Sequence, residues 1–393
     1  MKRQIVITGW QSKVLTALYE EDILCELNLE PQKSRVRVGD IYIGKVKHIV
    51  QNIQAAFVEI TPGVMGYYPL KENAVHFFVN PKKNDKIVAG DEIVVQVDKE
   101  NLKTKAWFLT GRLSFPGRYT VLTKGKAGIQ VSSKIKDKEE RSRLTEIISD
   151  RPMEGAAWMI RTEARGQSSE VIREEMDRLL VDYNRIMSTA RSRTCFTKLM
   201  SGASPYAQLI TKFAHGSDCR VTTDLSEIYE ELKEDFERWG LSSEILRYYK
   251  DDAYPLIKLK GIESQIDRAL QKRVWLKSGA YLVIEPTEAL TVIDVNTGKA
   301  IGKQKMEENF FKINIEAARE VCRQLRLRNI SGIVIVDFIN MKEPEHLKAL
   351  MDILREEAAR DSIQTTVVDR TSLHLMEMTR KKVHRSLAEQ VRL

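Results

Sequence analysis

The rhythm of apolar and polar positions changes several times along this chain. Near the start, Ile5–Ile7 and Lys13–Tyr19 alternate in period two, which predicts short strands up to about residue 34. From Val36 to about Leu109, short β-rich runs are separated by the turn pairs Gly39-Asp40, Pro62-Gly63 and Gly90-Asp91. In EIVVQVDKE, Ile93, Val95 and Val97 share one face, as in a half-buried strand. Five such runs predict a small barrel, and the OB-fold is the commonest five-stranded one.

From about Gly117 to Arg193 the order becomes strand, helix, strand, helix. A strand over 156–162 leads through EARGQ into a long helix opened by Ser168 and Ser169, with Ile172, Met176, Leu179, Tyr183 and Ile186 along its buried face. A charged helix is expected over 224–239. Past Gly279, strands over 289–294, 332–337 and 365–369 alternate with helices over 307–327 and 344–360, and a basic helix is expected at the C-terminus. This alternation predicts a largely parallel sheet. The whole reads as a multidomain α+β and α/β protein.

Composition narrows the class. At 42% hydrophobic and 30% charged, the 393-residue chain is too apolar to be disordered. No run approaches the roughly 18 apolar residues of a membrane helix. The start, MKRQIVITGWQSKV, has too short an apolar run for a signal peptide, so no membrane span and a cytoplasmic location are expected. Cys25, Cys195, Cys219 and Cys322 are widely spaced, which favours reduced thiols over disulfides or a zinc knot, with a Cys195–Cys219–His215 metal group as the weaker reading. The excess of 63 Lys+Arg over 55 Asp+Glu is compatible with a polyanionic partner without requiring one.

Three constellations carry candidate chemistry. In TVIDVN and IVIVDFIN, Asp294 and Asp337 each follow an apolar β-branched run. A right-handed β-α-β crossover makes those strands parallel neighbours, bringing both carboxylates to the carboxyl edge of one sheet. Hard oxygen ligands of this kind suit Mg²⁺, and Asn296 adds a neutral donor for a phosphoryl oxygen. Taken singly, either aspartate is equally a turn former or helix cap. In the barrel, Phe57, Tyr67 and Tyr68 with Lys45, Lys47 and Lys105 supply the parts of a stacking platform for single-stranded nucleic acid, or simply a core. Arg161 and Thr162, before a glycine-containing loop and a helix start, suit a terminal phosphate, although an Arg161–Glu163 pair explains them as well. GxSxG, GxxxxGK[ST] and HExxH are absent, which argues against acyl hydrolase, P-loop and zincin chemistry.

The segments DIYIGKV, QAAFVEI, GYYPLKE, VVQVDKE and RTEARG, and above all TEALTVIDVNTGKA followed by FFKINIEAAREVCRQLRLRNISGIVIVDFINM, resemble the catalytic half of the ribonuclease E/ribonuclease G family over essentially the whole chain. That resemblance implies an RNase H-like fold (1–34 and 206–278) interrupted by an S-one-type OB-fold RNA-binding domain (35–110) and a 5′-sensor domain (111–205), followed by a DNase I-like catalytic domain (279–393). It implies that Asp294 and Asp337 hold a catalytic Mg²⁺, with Mn²⁺ as an alternative, and that Asn296 contacts the scissile phosphate. Phe57, Tyr67 and Lys105 would then bind RNA, and Arg161 and Thr162 would sense a 5′-monophosphate.

The expected activity is endonucleolytic cleavage of single-stranded A/U-rich RNA, leaving a 5′-phosphate and a 3′-hydroxyl, in messenger RNA decay or ribosomal RNA processing. The competing reading is a non-catalytic binder of single-stranded RNA that uses the barrel. No CPxC-type motif occurs and no small domain follows before Leu393, so zinc and the family's zinc-bridged oligomers are not expected, while another homo-oligomer stays open. Around SSKIK and at Gln364 the basic residues expected near the sensor pocket are weakened, which implies a reduced 5′-end dependence.

Overall fold

A computed structural model describes residues 2–31, 36–73, 75–99, 106–124, 128–149, 155–214, 218–251, 253–298 and 306–392. The chain divides into two compact units, Arg35–Ser204, and Met1–Ser34 with Pro205–Leu393.

In the Arg35–Ser204 unit, strands Ile41–Val50, Ala55–Thr61, Val64–Pro69, Trp107–Thr110 and Glu92–Lys99 pair in that order, and the last pairs back onto the first to close a barrel. This is a five-stranded barrel compatible with an OB-like fold. Its turns use the glycines legible in the sequence: Gly63 and Gly90 have φ of 80° and 95°, a region that residues with a Cβ rarely adopt. Tyr42, Val58, Ile60, Tyr68, Ile93 and Val95 fill the interior. A four-stranded sheet follows, in the order Gly128–Val131, Ala156–Ile160, Thr120–Lys124, Ser114–Pro116. Helices Lys138–Ser149 and Ser169–Ser192 cover it, and the long helix buries the Ile172, Met176, Leu179, Tyr183 and Ile186 face that the periodicity marks.

The second unit holds two sheets. Strands Leu246–Tyr248, Cys219–Thr223, Arg3–Trp10, Lys13–Glu20 and Ile23–Pro31 form the first, with helices on both faces. The second has the order Arg273–Trp275, Tyr281–Pro286, Leu290–Asn296, Gly332–Asp337, Met376–Arg380, Thr365–Arg370. This corrects the expectation of a largely parallel sheet. Only Leu290–Asn296 and Gly332–Asp337, joined through helix Met306–Leu327, run parallel, and the other four pairings are antiparallel. Helix Pro344–Ala359 leads to an edge strand, and the chain then turns back to fill the gap with Met376–Arg380.

No element is expected from the sequence between about 369 and the basic tail, where this inserted strand lies. Its period-two signal (Met376, Met378, Arg380 inward) is masked by a charged residue at a core position. Arg380 is 4% exposed because its Nε donates to Asp361 Oδ2 at 2.7 Å and its Nη1 to Asn329 Oδ1 at 2.6 Å. The basic helix expected at the C-terminus is Leu387–Arg392, and it packs on the unit: Leu387 is buried, and Gln390 Oε1 accepts from the Leu29 amide at 2.8 Å.

All four cysteines are free, and Cys25, Cys219 and Cys322 are buried. Burial pushes the Cys25 and Cys219 thiols up to about 11 and Cys322 to about 12. His215 lies outside the described residues. Among the described residues, no helix is long and apolar enough to cross a membrane.

Candidate active site and nucleic-acid interface

Among the described residues, helices cover one face of the six-stranded sheet. Leu282, Ile284, Ile293, Val295, Val334, Val336, Met376 and Met378 pack there against helices Met306–Leu327 and Pro344–Ala359. Alternation turns the intervening residues to the other face, so Asp294 and Asp337 are exposed while their neighbours Ile293, Val295 and Val336 are buried. The two aspartates are Cα partners across the parallel strands, near the carboxyl ends of both. They therefore project from an open sheet face, not only from its edge. Asn296, two residues on, stands on the same face and donates from Nδ2 to Asp294 Oδ2 at 2.6 Å.

Like charges directly opposite each other on neighbouring strands repel. Among the described residues no cationic side chain pairs with either aspartate, and no group of three His, Cys, Asp or Glu side chains could hold a metal ion. The donor set is thus two exposed carboxylates and an amide. It fits a hard, hydrated divalent cation such as Mg²⁺, which needs only one or two protein carboxylates and keeps several waters. It does not form an all-protein cage.

Buried polar groups fix the backbone after Asp337. Asn314, fully buried on helix Met306–Leu327, donates to the Ile339 carbonyl at 2.7 Å and accepts from the Ile339 amide at 3.1 Å. Glu307 Oε1 accepts from the Lys342 and Glu343 amides at 2.8 and 3.2 Å, and the Glu343 amide leads the contacts that hold this carboxyl below its usual range. On the Asp294 side, Gly298 has φ 55°, and a Cβ there would meet the Gly279 carbonyl oxygen at 2.5 Å, so only glycine lets the chain leave the strand this way. Replacing Asn314 by Ala strips both bonds from Ile339, and a loss of about 2 kcal/mol is expected in the free energy of urea unfolding. A change under about 0.5 kcal/mol would show that this clamp carries no stability.

Arg161 follows strand Ala156–Ile160, and Thr162 opens the short turn Thr162–Ala164. Arg161 Nη1 donates to the Gly117 carbonyl at 2.8 Å, and its Nε stands 3.8 Å from Glu163 Oε2. Of the two readings of this arginine the Glu163 pair is seen, as a loose, half-exposed contact that leaves guanidinium N–H groups for a further acceptor. Thr162 Oγ1 shares a 3.1 Å hydrogen bond with Ser132 Oγ. Two acids that sequence reasoning passed over organise this corner. Glu175 accepts from the amides of Arg118, Tyr119 and Thr120 at 2.6–2.8 Å, building the loop whose Gly117 carbonyl holds Arg161. Glu140 Oε1 accepts from the Gly166 amide at 2.8 Å, and Arg143 first, then that amide, hold its carboxyl at about 2.

On the barrel, Phe57 and Tyr67 are half-buried register partners with ring centroids 6.0 Å apart. They belong to a longer stripe. His48 stacks on Phe57 at 4.9 Å, Phe108 meets Tyr67 edge-on at 5.0 Å, and Lys99 Nζ lies 4.5 Å over Phe108. Register pairing carries this row through all five strands. Tyr68 points the other way, into the core, with its hydroxyl 2.9 Å from His76 Nδ1. Lys47 pairs with Glu59 at 2.7 Å, and Lys105 lies outside the described residues.

Comparisons with known proteins place the chain in a family. The ribonuclease E/G family pattern matches residues 114–383. Ribonuclease G of Escherichia coli K12 is 30% identical over 98% of this chain and 81% of its own length. Ribonuclease G of Haemophilus influenzae is 33% identical over 94% and 78%. Ribonuclease E of Nostoc is 32% identical over 99% of this chain and 57% of its own length. The chain belongs to the ribonuclease E/G family. It is an endoribonuclease.

Proposed function

We propose that this enzyme uses Mg²⁺ to cut single-stranded, A/U-rich RNA in the cytoplasm, favours a 5′-monophosphate end, and serves messenger RNA decay or ribosomal RNA processing. The observation that carries the reading is the register pairing of Asp294 with Asp337, beside Asn296, on the sheet face opposite the packed helices. Asp294 and Asp337 would hold the metal, with Mn²⁺ as a substitute, and Asn296 would orient a phosphoryl oxygen. The metal supplies charge neutralisation at the scissile phosphate and a more acidic bound water. Hydrolysis then leaves a 5′-phosphate and a 3′-hydroxyl.

Phe57 and Tyr67, extended by His48 and Phe108, offer stacking surfaces that hold unpaired bases whatever their identity. The A/U preference, the role of Lys105 beside those rings, and the plan of OB-fold and 5′-sensor domains inserted in an RNase H-like fold before a DNase I-like domain follow from family resemblance. Arg161 and Thr162 would take the 5′-phosphate, Arg161 exchanging its loose contact with Glu163 for a charge-assisted bond. A homo-oligomer is compatible with all of this.

The test compares one A/U-rich RNA bearing either a 5′-monophosphate or a 5′-hydroxyl. The wild-type enzyme is expected to cut the phosphorylated RNA faster, and Arg161→Ala to bring the ratio of the two rates down by about tenfold, toward one. A ratio unchanged by Arg161→Ala would remove the 5′-end role from this residue.

A further inference from the structure

The open face that carries the aspartates also carries aromatic residues that the metal site does not use. Register pairing sets Arg273, Val283, Asp294 and Asp337 in one row across four strands. The neighbouring row runs Trp275, Tyr281, Asn296. Trp275 and Tyr281 have ring centroids 5.1 Å apart at 57°, and the Arg273 guanidinium lies 4.5 Å over Tyr281 and 5.7 Å from the Trp275 ring.

These rings are not core. Their strand neighbours Val274, Leu282 and Ile284 point to the helix-covered face and pack there, whereas Trp275 is 63% exposed. An indole left in water on an edge strand forgoes the burial that would stabilise it, which is a common mark of a binding surface. Among the described residues Arg273 makes no ion pair, so its N–H edge is available to a phosphate or a base oxygen while its plane stacks.

Placement indicates the ligand. Adjacent strands lie about 4.8 Å apart, so Tyr281 is one spacing and Trp275 two spacings, about 10 Å, from Asn296. A nucleoside linked to a phosphate placed at Asn296, beside the metal that Asp294 and Asp337 would hold, can span that interval. A ring pair with a stacked guanidinium is the chemistry that holds an unstacked base of a single strand.

We propose that Trp275, Tyr281 and Arg273 form a base-stacking subsite for a nucleotide flanking the scissile phosphate, in addition to the aromatic stripe on the barrel. The inference rests on reading Asp294, Asn296 and Asp337 as the phosphate site.

The test uses short RNAs with a single cut, in which each nucleotide near the cut is replaced in turn by an abasic residue, and reads kcat/KM in Mg²⁺. With the wild-type enzyme, loss of the base at one position beside the cut should slow cleavage roughly 5- to 150-fold. Trp275→Ala should slow cleavage of the intact RNA by a similar factor and show no further penalty at that position, while keeping the penalties elsewhere. Trp275→Phe should restore most of the rate. Trp275→Ala cutting the intact RNA at the wild-type rate, or keeping the full abasic penalty, overturns the subsite. Asp294→Asn runs in parallel: if it is inactive while Trp275→Ala is indifferent, only the subsite fails. If Asp294→Asn cuts normally, the phosphate site itself fails and the inference falls with it. An unchanged thermal midpoint of Trp275→Ala, expected for so exposed a side chain, ties any slowing to the subsite, and a lowered midpoint with no rescue by Trp275→Phe counts against it.

Discussion

Asp294→Asn and Asp337→Asn are each expected to lower single-turnover cleavage by about 10³-fold or more while leaving RNA binding within a few-fold of wild type. The effect is electrostatic. Each change keeps the shape of the side chain and removes one of the two negative charges that, on the proposed reading, would draw a divalent cation to the open sheet face. Losing several kcal/mol of charge stabilisation at the phosphate corresponds to that factor, since each 1.36 kcal/mol is tenfold. Binding is expected to persist because the aromatic stripe proposed to hold the RNA lies on the barrel and stays intact. Folding is not harmed either: both aspartates are exposed, and neutralising one removes a like-charge repulsion across the strands. Measured without metal, the variants should be as stable as wild type or slightly more so. A double variant that still cuts RNA would refute the site.

The second large effect is on stability. Glu175 is 4% exposed on helix Ser169–Ser192, yet its carboxylate accepts from three successive amides, of Arg118, Tyr119 and Thr120, and from the Thr120 hydroxyl at 3.0 Å. Glu175→Ala leaves those donors without an acceptor in a buried corner, and a loss of about 3–5 kcal/mol is expected in urea unfolding of the Arg35–Ser204 unit. Glu175→Gln keeps one acceptor oxygen and should fall between. Because the same loop presents the Gly117 carbonyl to Arg161, the Ala variant should also lose discrimination between 5′-ends. A cost below about 1 kcal/mol would show that the loop stands without Glu175.

The features most legible in the sequence are those set by local pattern. Strand Gly332–Asp337 and helix Met306–Leu327 emerge nearly residue for residue from their apolar rhythm, and the crossover between them makes the parallel neighbours that bring Asp294 opposite Asp337. What escaped depends on register or on distant partners. Strand Met376–Arg380 is hidden by Arg380, whose burial is explained only by Asp361 and Asn329 elsewhere in the chain. His48 and Lys99 escaped the reading of the barrel for another reason. Simple alternation gives His48 the face of buried Val46, and Lys99 that of buried Val97, both inside the barrel. A register shift between Val46 and His48, and another between Val97 and Lys99, turns each outward beside Phe57 and Phe108. Glu175 gave no signal beyond an acidic residue beside a helix's buried stripe, because its partners are amides 55 to 57 residues away. Trp275 and Tyr281 likewise become a pair only through the hairpin that sets them opposite each other.

The most direct measurement is a gel assay of one short, 5′-monophosphorylated A/U-rich RNA. It is incubated with the wild-type protein in Mg²⁺, with the same protein in EDTA, and with Asp294→Asn in Mg²⁺. Internal cuts in the first lane alone, each leaving a 3′-hydroxyl, are the predicted result. Equal cutting in EDTA, or by Asp294→Asn, would contradict it.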